Sequence, residues 1–296
     1  MQVQNRLPRV KPLCSALGAE VLDIDLSGNL GDGEIAFVKK AFRDHLVLVF
    51  RDQTLTPDQL LRFATLIGPP VQTNYIKPLP GHSFVYGFVR EASERKEVKN
   101  LGGDWHCDGS YTTEPPIAVA LYGEEVPPYG GDTIFTNLGL VYDNLSEGMK
   151  AIVDRLVTIN SATALKPKGR DAGQGFVAQK GIKVEITHDP EAEVEHPLVR
   201  IHPDTGRRTL WLPGFFGRRL KGMNDAESRL LLDYLEGFAH QHEFTCRVVW
   251  SKGTLTLWDN RAVQHIALND YQGFRRSMHR VQIGASRPVG VNQATT

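Results

Sequence analysis

Eight short runs rich in β-branched and aromatic residues, at 117–122, 133–136, 183–187, 198–202, 209–212, 246–250, 254–258 and 278–283, constrain the fold of this chain more than any other feature. Gly, Pro and Asp fall between them, so each run reads as a short strand ended by a turn. Many short strands at this spacing predict a mainly β fold with flanking helices, a sandwich or double-stranded β-helix (jelly roll). The helices have their own signals. Residues 32–44 place Ile35, Val38 and Phe42 at helical spacing and feed a buried strand at 45–50. Thr56-Pro57-Asp58-Gln59 has the cap, first-turn proline and capping-box spacing of a helix start; Leu60, Leu61 and Ala64 follow, and Gly68 stops it. Residues 146–156 and 224–238 read as two more capped amphipathic helices, the second with Leu231, Tyr234, Leu235 and Phe238 as its apolar stripe.

No linker or repeat divides the 296 residues, which are read as one catalytic domain, 1–296, with a lid or insertion around 164–195 where Lys, Gly, Asp and Glu are concentrated. Lys plus Arg equals Asp plus Glu at 34 each, so the basic excess of a nucleic-acid binder is missing. The first 13 residues lack the apolar core of a signal peptide, and no run approaches the ~18 apolar residues of a membrane span. A cytoplasmic protein acting on a small molecule is expected. Cys14, Cys107 and Cys246 lie far apart in sequence, which excludes a disulfide framework and a Cys-x-x-Cys metal site.

Trp105-His106-Cys107-Asp108 carries the first chemical information. On an extended strand, residues two apart share a face, so His106 and Asp108 can grip one metal while Cys107 points the other way into packing. The pair alone also fits a solvated strand, and a distant histidine must complete it. Two histidines and one carboxylate form a facial triad with open positions, the arrangement suited to Fe(II) that binds a 2-oxo acid and O2. His265 follows the strand expected at 254–258 and is itself followed by Arg276 and Arg280. A planar guanidinium makes two parallel charge-assisted bonds to a carboxylate, so an arginine of this kind belongs beside such an iron. The other histidines have plainer readings: His196 and His202 beside a strand as structural groups, His240 and His242 at a helix end or in solvent. Gly130-Gly131 reads as a turn delivering Thr133 to the site.

These residues stand within a longer ordered set: Leu-Gly-Ala-Glu-Val at 17–21, Val-Phe-Arg-Asp-Gln at 49–53, Trp-His-Cys-Asp at 105–108, Gly-Gly-Asp-Thr at 130–133, Trp-Asp-Asn-Arg at 258–261, and the series His265, Arg276, Arg280. Over almost its whole length the chain resembles the taurine dioxygenase and aryloxyalkanoate dioxygenase group of Fe(II)/2-oxoglutarate enzymes. The resemblance implies Fe(2+) at His106, Asp108 and His265, with 2-oxoglutarate and O2 as cosubstrates. It implies the distal carboxylate of 2-oxoglutarate at Thr133 and Arg276. Arg280 matches a position that meets the substrate's anionic group or supports the cosubstrate. Succinate and CO2 are the implied coproducts, and a dimer or tetramer the implied assembly.

Departures from the group's patterns bear on the substrate. Taurine enzymes place a sulfonate-contacting histidine soon after the second helix, whereas residues 68–75 here read Gly-Pro-Pro-Val-Gln-Thr-Asn-Tyr. The stretch from Arg90 to His106 and the Phe-Thr-Cys-Arg-Val at 244–248 look like the aryloxyalkanoate side of the group. The expected substrate is therefore an aryloxyalkanoate or another carboxylate rather than taurine, with Asn74, Tyr75, Phe216 and Arg280 around it; an alkylsulfonate is the alternative. Two rival classes remain. A zinc hydrolase could use the same three ligands but has no need of paired arginines, and a jelly-roll binding protein could keep the fold without catalysis. Dependence on Fe(II) and 2-oxoglutarate separates all three.

Overall fold

The computed structural model describes residues 7–73, 75–94, 101–165 and 189–293. Asn74, the strand expected at 183–187 and most of the expected lid lie outside these residues.

The larger sheet runs in the order β1 (Arg9–Pro12), β2 (Ala19–Leu22), β3 (Val47–Phe50), β14 (Leu255–Asp259), β6 (Pro116–Glu125), β16 (Arg276–Ala285), β4 (Pro70–Val71). β5 (Tyr86–Arg90) pairs with the other half of the same edge of β16. A smaller sheet, β13 (Thr245–Val248), β7 (Thr133–Asn137) and β15 (Val263–Ala267), packs against it. Beside these lie a three-stranded sheet of β12 (Gly217–Leu220), β8 (Val157–Asn160) and β9 (Val194–Pro197), and a pair, β10 (Val199–Ile201) with β11 (Arg208–Leu210). The expectation of a double-stranded β-helix with outer helices is met.

Strand periodicity explains why the larger sheet is apolar on both sides. In β3, Leu48 and Phe50 turn toward α1 (Asp32–His45) and α2 (Pro57–Ile67), whereas Val47 and Val49 turn toward the smaller sheet. In β6, Ala118 and Ala120 face the helices and Val119 faces inward. Phe50 meets Phe63 of α2 edge to face at 5.4 Å, an arrangement that stabilises by about 1 kcal/mol beyond area burial. On the inner side Phe135 of β7 packs on Trp258 of β14 at 5.6 Å, joining the two sheets. β16 turns Arg276, Met278 and Arg280 inward onto a cavity that Trp258 also lines.

Local signals set the helix ends. Thr56 accepts from the Gln59 N–H at 3.2 Å while the Gln59 side chain accepts from the Thr56 N–H at 2.7 Å, the reciprocal cap expected at the start of α2. Ser146 caps α4 (Glu147–Val153), and Asn224 caps α5 (Asp225–Ala239) with Glu227 reciprocating. A short helix, α3 (Leu138–Asp143), capped by Asn137, has no counterpart in the sequence reading.

Two expectations are corrected. His45 ends α1 instead of opening a strand: the Leu46 N–H closes the helix on the Phe42 carbonyl, and with φ +64 Leu46 turns the chain so that β3 begins at Val47. Tyr234 does not belong to the buried stripe of α5. It is 52% exposed and lies flat against Phe238, while Leu235 carries the burial. At the margins of the expected lid, Leu165 is buried and Val194 and Glu195 belong to β9.

His196 of β9 is buried, and its Nε2–H donates to the Thr112 carbonyl at 2.9 Å, tying the three-stranded sheet to the turn that follows Asp108. Burial pushes this imidazole down to about 4. Since an unfolded histidine titrates near 6.5, the unfolded chain binds more protons across this window, and stability rises with pH through it. Thermal melts of the metal-free protein are therefore expected to fall as pH drops from about 6.5 to about 4, with His196 contributing on the order of 3 kcal/mol across the window. His196→Gln should flatten part of that dependence; an unchanged slope would mean that the site does not titrate between the two states.

Candidate functional site

His265 sits in the middle of β15, paired with Phe135 of β7. Its neighbour across the cleft is His106: each residue's N–H donates to the other's carbonyl, both at 3.0 Å, in an isolated β-bridge. Expectation and structure differ in one respect here. Asp108 is not on a strand but begins a turn through Gly109 at φ +64. The cause is Asn260, whose Oδ1 accepts from the Asp108 N–H at 2.8 Å and whose Nδ2 donates to the Asp108 carbonyl at 2.9 Å. A buried amide thus takes both backbone groups that a strand neighbour would have taken. Asn260 also donates to the Pro116 carbonyl at 2.8 Å, fixing the turn to the edge of β6.

The three side chains still converge. Asp108 Oδ2 lies 3.6 Å from His265 Nε2, and Asp108 Oδ1 lies 3.9 Å from His106 Nε2. One ligand-capable atom from each residue falls within 4.8 Å of the other two, and among the described residues no other group of this kind occurs. His106 Nδ1 is 2.8 Å from the Asp104 carbonyl and must donate to it, so the Nε2 lone pair faces Asp108. Burial lowers both imidazole pKa values, His265 to about 3, which keeps the ligand nitrogens unprotonated near neutrality. For Asp108, burial works to raise the pKa, but Arg280 leads the groups that outweigh it, and the carboxyl stays ionised. Asp108 Oδ2 is buried with no hydrogen-bond partner, an expensive state for a carboxylate that a cation would relieve. Two neutral imidazoles and a carboxylate with an orphaned oxygen fit a divalent iron.

Other residues press this cluster into place. Gly214, φ +60, bridges to His106 on its second side, and a Cβ there would stand 1.7 Å from the Trp105 carbonyl oxygen. Only glycine permits that approach, and it brings Phe215 and Phe216 to 5.3 and 6.3 Å from the His106 ring. His240, at the end of α5, stacks on Trp105 at 4.1 Å and pairs with the Gln264 side chain at 2.8 Å. The residues just before both histidines are thereby held from one helix end. Cys107 points away, its thiol donating to the Leu212 and Val263 carbonyls, and burial raises its pKa so that it stays a thiol. His202, paired with Asp259 at 3.0 Å, and His196 lie outside the cluster.

A cavity opens over the three ligands. On one side lie Thr133 and Arg276. Arg276 donates to the Gly131 carbonyl at 3.2 Å, and its guanidinium lies over the rings of Trp250 and Tyr271. The Gly130-Gly131 turn has positive φ at both residues, and a Cβ on Gly130 would meet the Asp270 carbonyl oxygen at 2.7 Å. On the other side Arg280 reaches Asp108 Oδ1 at 3.3 Å and the Tyr75 hydroxyl at 2.7 Å, with Phe88 under its guanidinium at 4.4 Å. Phe215, Phe216, Leu101 and Leu165 complete an apolar wall. Thr133, Arg276, Arg280, Tyr75 and Phe216 are thus brought together with the metal-competent cluster, while Asn74 lies outside the described residues. Sequence reasoning missed Asn260, Gly214, Trp250 and Arg90, the last lining the cavity above Tyr271. Of these only Asn260 carried a signal, through its place in the Trp-Asp-Asn-Arg motif.

Residues 9–282 match the taurine catabolism dioxygenase TauD, TfdA family. The chain belongs to that family. It is 32% identical over 288 residues to the alpha-ketoglutarate-dependent sulfate ester dioxygenase of Pseudomonas putida, covering 96% of this chain and 91% of that protein. It is 31% identical over 268 residues to the alpha-ketoglutarate-dependent 2,4-dichlorophenoxyacetate dioxygenase of Cupriavidus pinatubonensis, covering 86% and 90%. The crystal structure of a taurine dioxygenase from Burkholderia xenovorans superposes with a TM-score of 0.79 at 33% identity, covering 97% of this chain and 94% of that one. As a TauD/TfdA protein the chain is an Fe(II)- and 2-oxoglutarate-dependent dioxygenase that consumes O2. Among its described residues no helix is long and apolar enough to cross a membrane.

Asn260 offers a test of this architecture. Asn260→Ala removes three hydrogen bonds behind Asp108 without touching a ligand, and should weaken divalent metal binding roughly 10–100-fold, the usual effect of losing a group that orients a ligand. Titration with Co(II) followed by its visible spectrum measures this. Wild-type affinity in the variant would show that Asp108 is held without Asn260.

Proposed function

We propose that His106, Asp108 and His265 hold the iron, that Thr133 and Arg276 receive the distal carboxylate of 2-oxoglutarate, and that Arg280 with Tyr75 presents the substrate's anionic group. One observation carries this reading: three buried ligand atoms within 4.8 Å of one another lie on the floor of a cavity flanked by inward-facing arginines on one strand. Iron with 2-oxoglutarate and O2 supplies the oxidant that hydroxylates a C–H bond, with release of succinate and CO2. The chain does the rest by placement. Asp104 and Asn260 fix the ligands, Arg276 orients the cosubstrate through paired hydrogen bonds, and the Phe215, Phe216 and Leu165 wall keeps water from the reacting carbon.

Arg280 is assigned to the substrate because its partners are the ligand carboxylate and the Tyr75 hydroxyl beside the apolar wall, whereas Arg276 bonds the Gly131 carbonyl. The substrate is a small organic anion with an apolar body whose target carbon bears an ester or ether oxygen. Hydroxylation at that carbon gives a product that collapses, leaving an aldehyde and an expelled sulfate or phenol. A sulfate ester leads, supported by the Pseudomonas relative that matches 96% of the chain. An aryloxyalkanoate is the second reading, favoured by the ring-lined wall of Phe88, Tyr75 and Phe216.

Succinate release in air is expected to require both Fe(II) and 2-oxoglutarate, to rise with an alkyl sulfate or aryloxyacetate more than with taurine, and to vanish in His106→Ala. Arg280→Ala should raise KM for the organic anion about tenfold to a hundredfold, the size of a lost hydrogen bond to a charged group, while changing KM for 2-oxoglutarate far less. The reverse pattern would move Arg280 to the cosubstrate. No turnover with any of the three anions would overturn the substrate class.

A further inference from the structure

Thr133 Oγ1 accepts the indole N–H of Trp250 at 3.0 Å, and both residues are buried. Indole nitrogen is only a donor, so the polarity of this bond is fixed: the threonine oxygen spends a lone pair on Trp250 and its own hydrogen must point elsewhere. Among the described residues no group accepts that hydrogen, and Thr133 lines the cavity beside Arg276. Trp250 touches the second anion-seeking group as well, since the Arg276 guanidinium lies over its ring at 5.7 Å. With one lone pair and one direction of the hydroxyl taken by Trp250, its hydrogen is available to the cavity, next to a guanidinium, where an anion satisfies it.

We infer that Trp250 is a positioning residue of the cosubstrate subsite, which orients the Thr133 hydroxyl to offer its hydrogen to the cavity and holds Arg276 in its orientation, and so raises the affinity for the distal carboxylate of 2-oxoglutarate. This rests on the assignment of Thr133 and Arg276 given above. Trp250 stands behind Thr133 and Arg276, which line the cavity, and its effect passes through them.

The test is calorimetric binding of 2-oxoglutarate, and of 2-oxobutyrate, which lacks the distal carboxylate, to Co(II)-loaded protein without O2. Trp250→Phe keeps an aromatic ring and removes the N–H. It should raise the 2-oxoglutarate Kd about five- to tenfold and leave the 2-oxobutyrate Kd unchanged. Thr133→Val should weaken 2-oxoglutarate by a similar factor, and the double variant should be little weaker than Thr133→Val alone. A benzothienyl alanine at position 250, which keeps the shape of the indole and drops its N–H, gives the same comparison if the phenylalanine variant folds poorly, and melting temperatures report folding for each protein. Equal weakening of both oxo acids, additive effects, or no effect of Trp250→Phe beside a clear effect of Thr133→Val would overturn the role of Trp250. No effect of Thr133→Val would instead overturn the assignment of Thr133 itself.

Discussion

The two reciprocal hydrogen bonds between the backbones of His106 and His265 are what the site depends on. They are a ladder of one rung, joining a loop to the edge of the smaller sheet, and such a contact has little strength of its own. Its neighbours supply the rest. Gly214 closes on the far side of His106, the stacked pair Trp105 and His240 steadies one flank, and the Gln264 amide, bonded to His240 and the Leu212 carbonyl, steadies the other. Asn260 then sets Asp108 opposite both rings. The ligand cluster is therefore assembled from a loop, a strand and a turn, each held by groups that touch no ligand.

Electrostatics complete the design. Burial strips the two imidazoles of their protons and Arg280 keeps Asp108 ionised, so the cluster carries one negative charge facing a space that also holds Arg90, Arg276 and Arg280. Buried guanidinium groups are costly when incompletely paired, and Arg276 and Arg280 each retain an Nε without a hydrogen-bond partner. A cavity of this charge favours a metal ion below and anions above. That balance suits a dicarboxylate cosubstrate together with an anionic substrate, and it disfavours neutral or cationic molecules of the same size.

What could be read from the sequence follows the range of the signals. Capping at Thr56, Ser146 and Asn224 is local, and those helices start where the residues say. Strands buried on both faces, such as β3 and β6, announce themselves as apolar runs. The ligand residues can be named because their motifs fall in chain order, but extended pairing stops at His106 and does not reach Asp108: that is decided by Asn260, 152 residues away. Trp250 was equally hidden, because a tryptophan ending an apolar run looks like core until its indole is seen to face Thr133. Tyr234 was misplaced for the opposite reason, since helical spacing marks a face without saying how far burial reaches around it.

The most direct measurement is a crystal structure of the protein grown without O2 with Mn(II) in place of Fe(II), using anomalous scattering to locate the metal. A single peak is expected, bound by His106, Asp108 and His265, with three adjacent positions taken by water or by added 2-oxoglutarate. A tetrahedral site with one open position, a fourth protein ligand, or a metal bound elsewhere would contradict it.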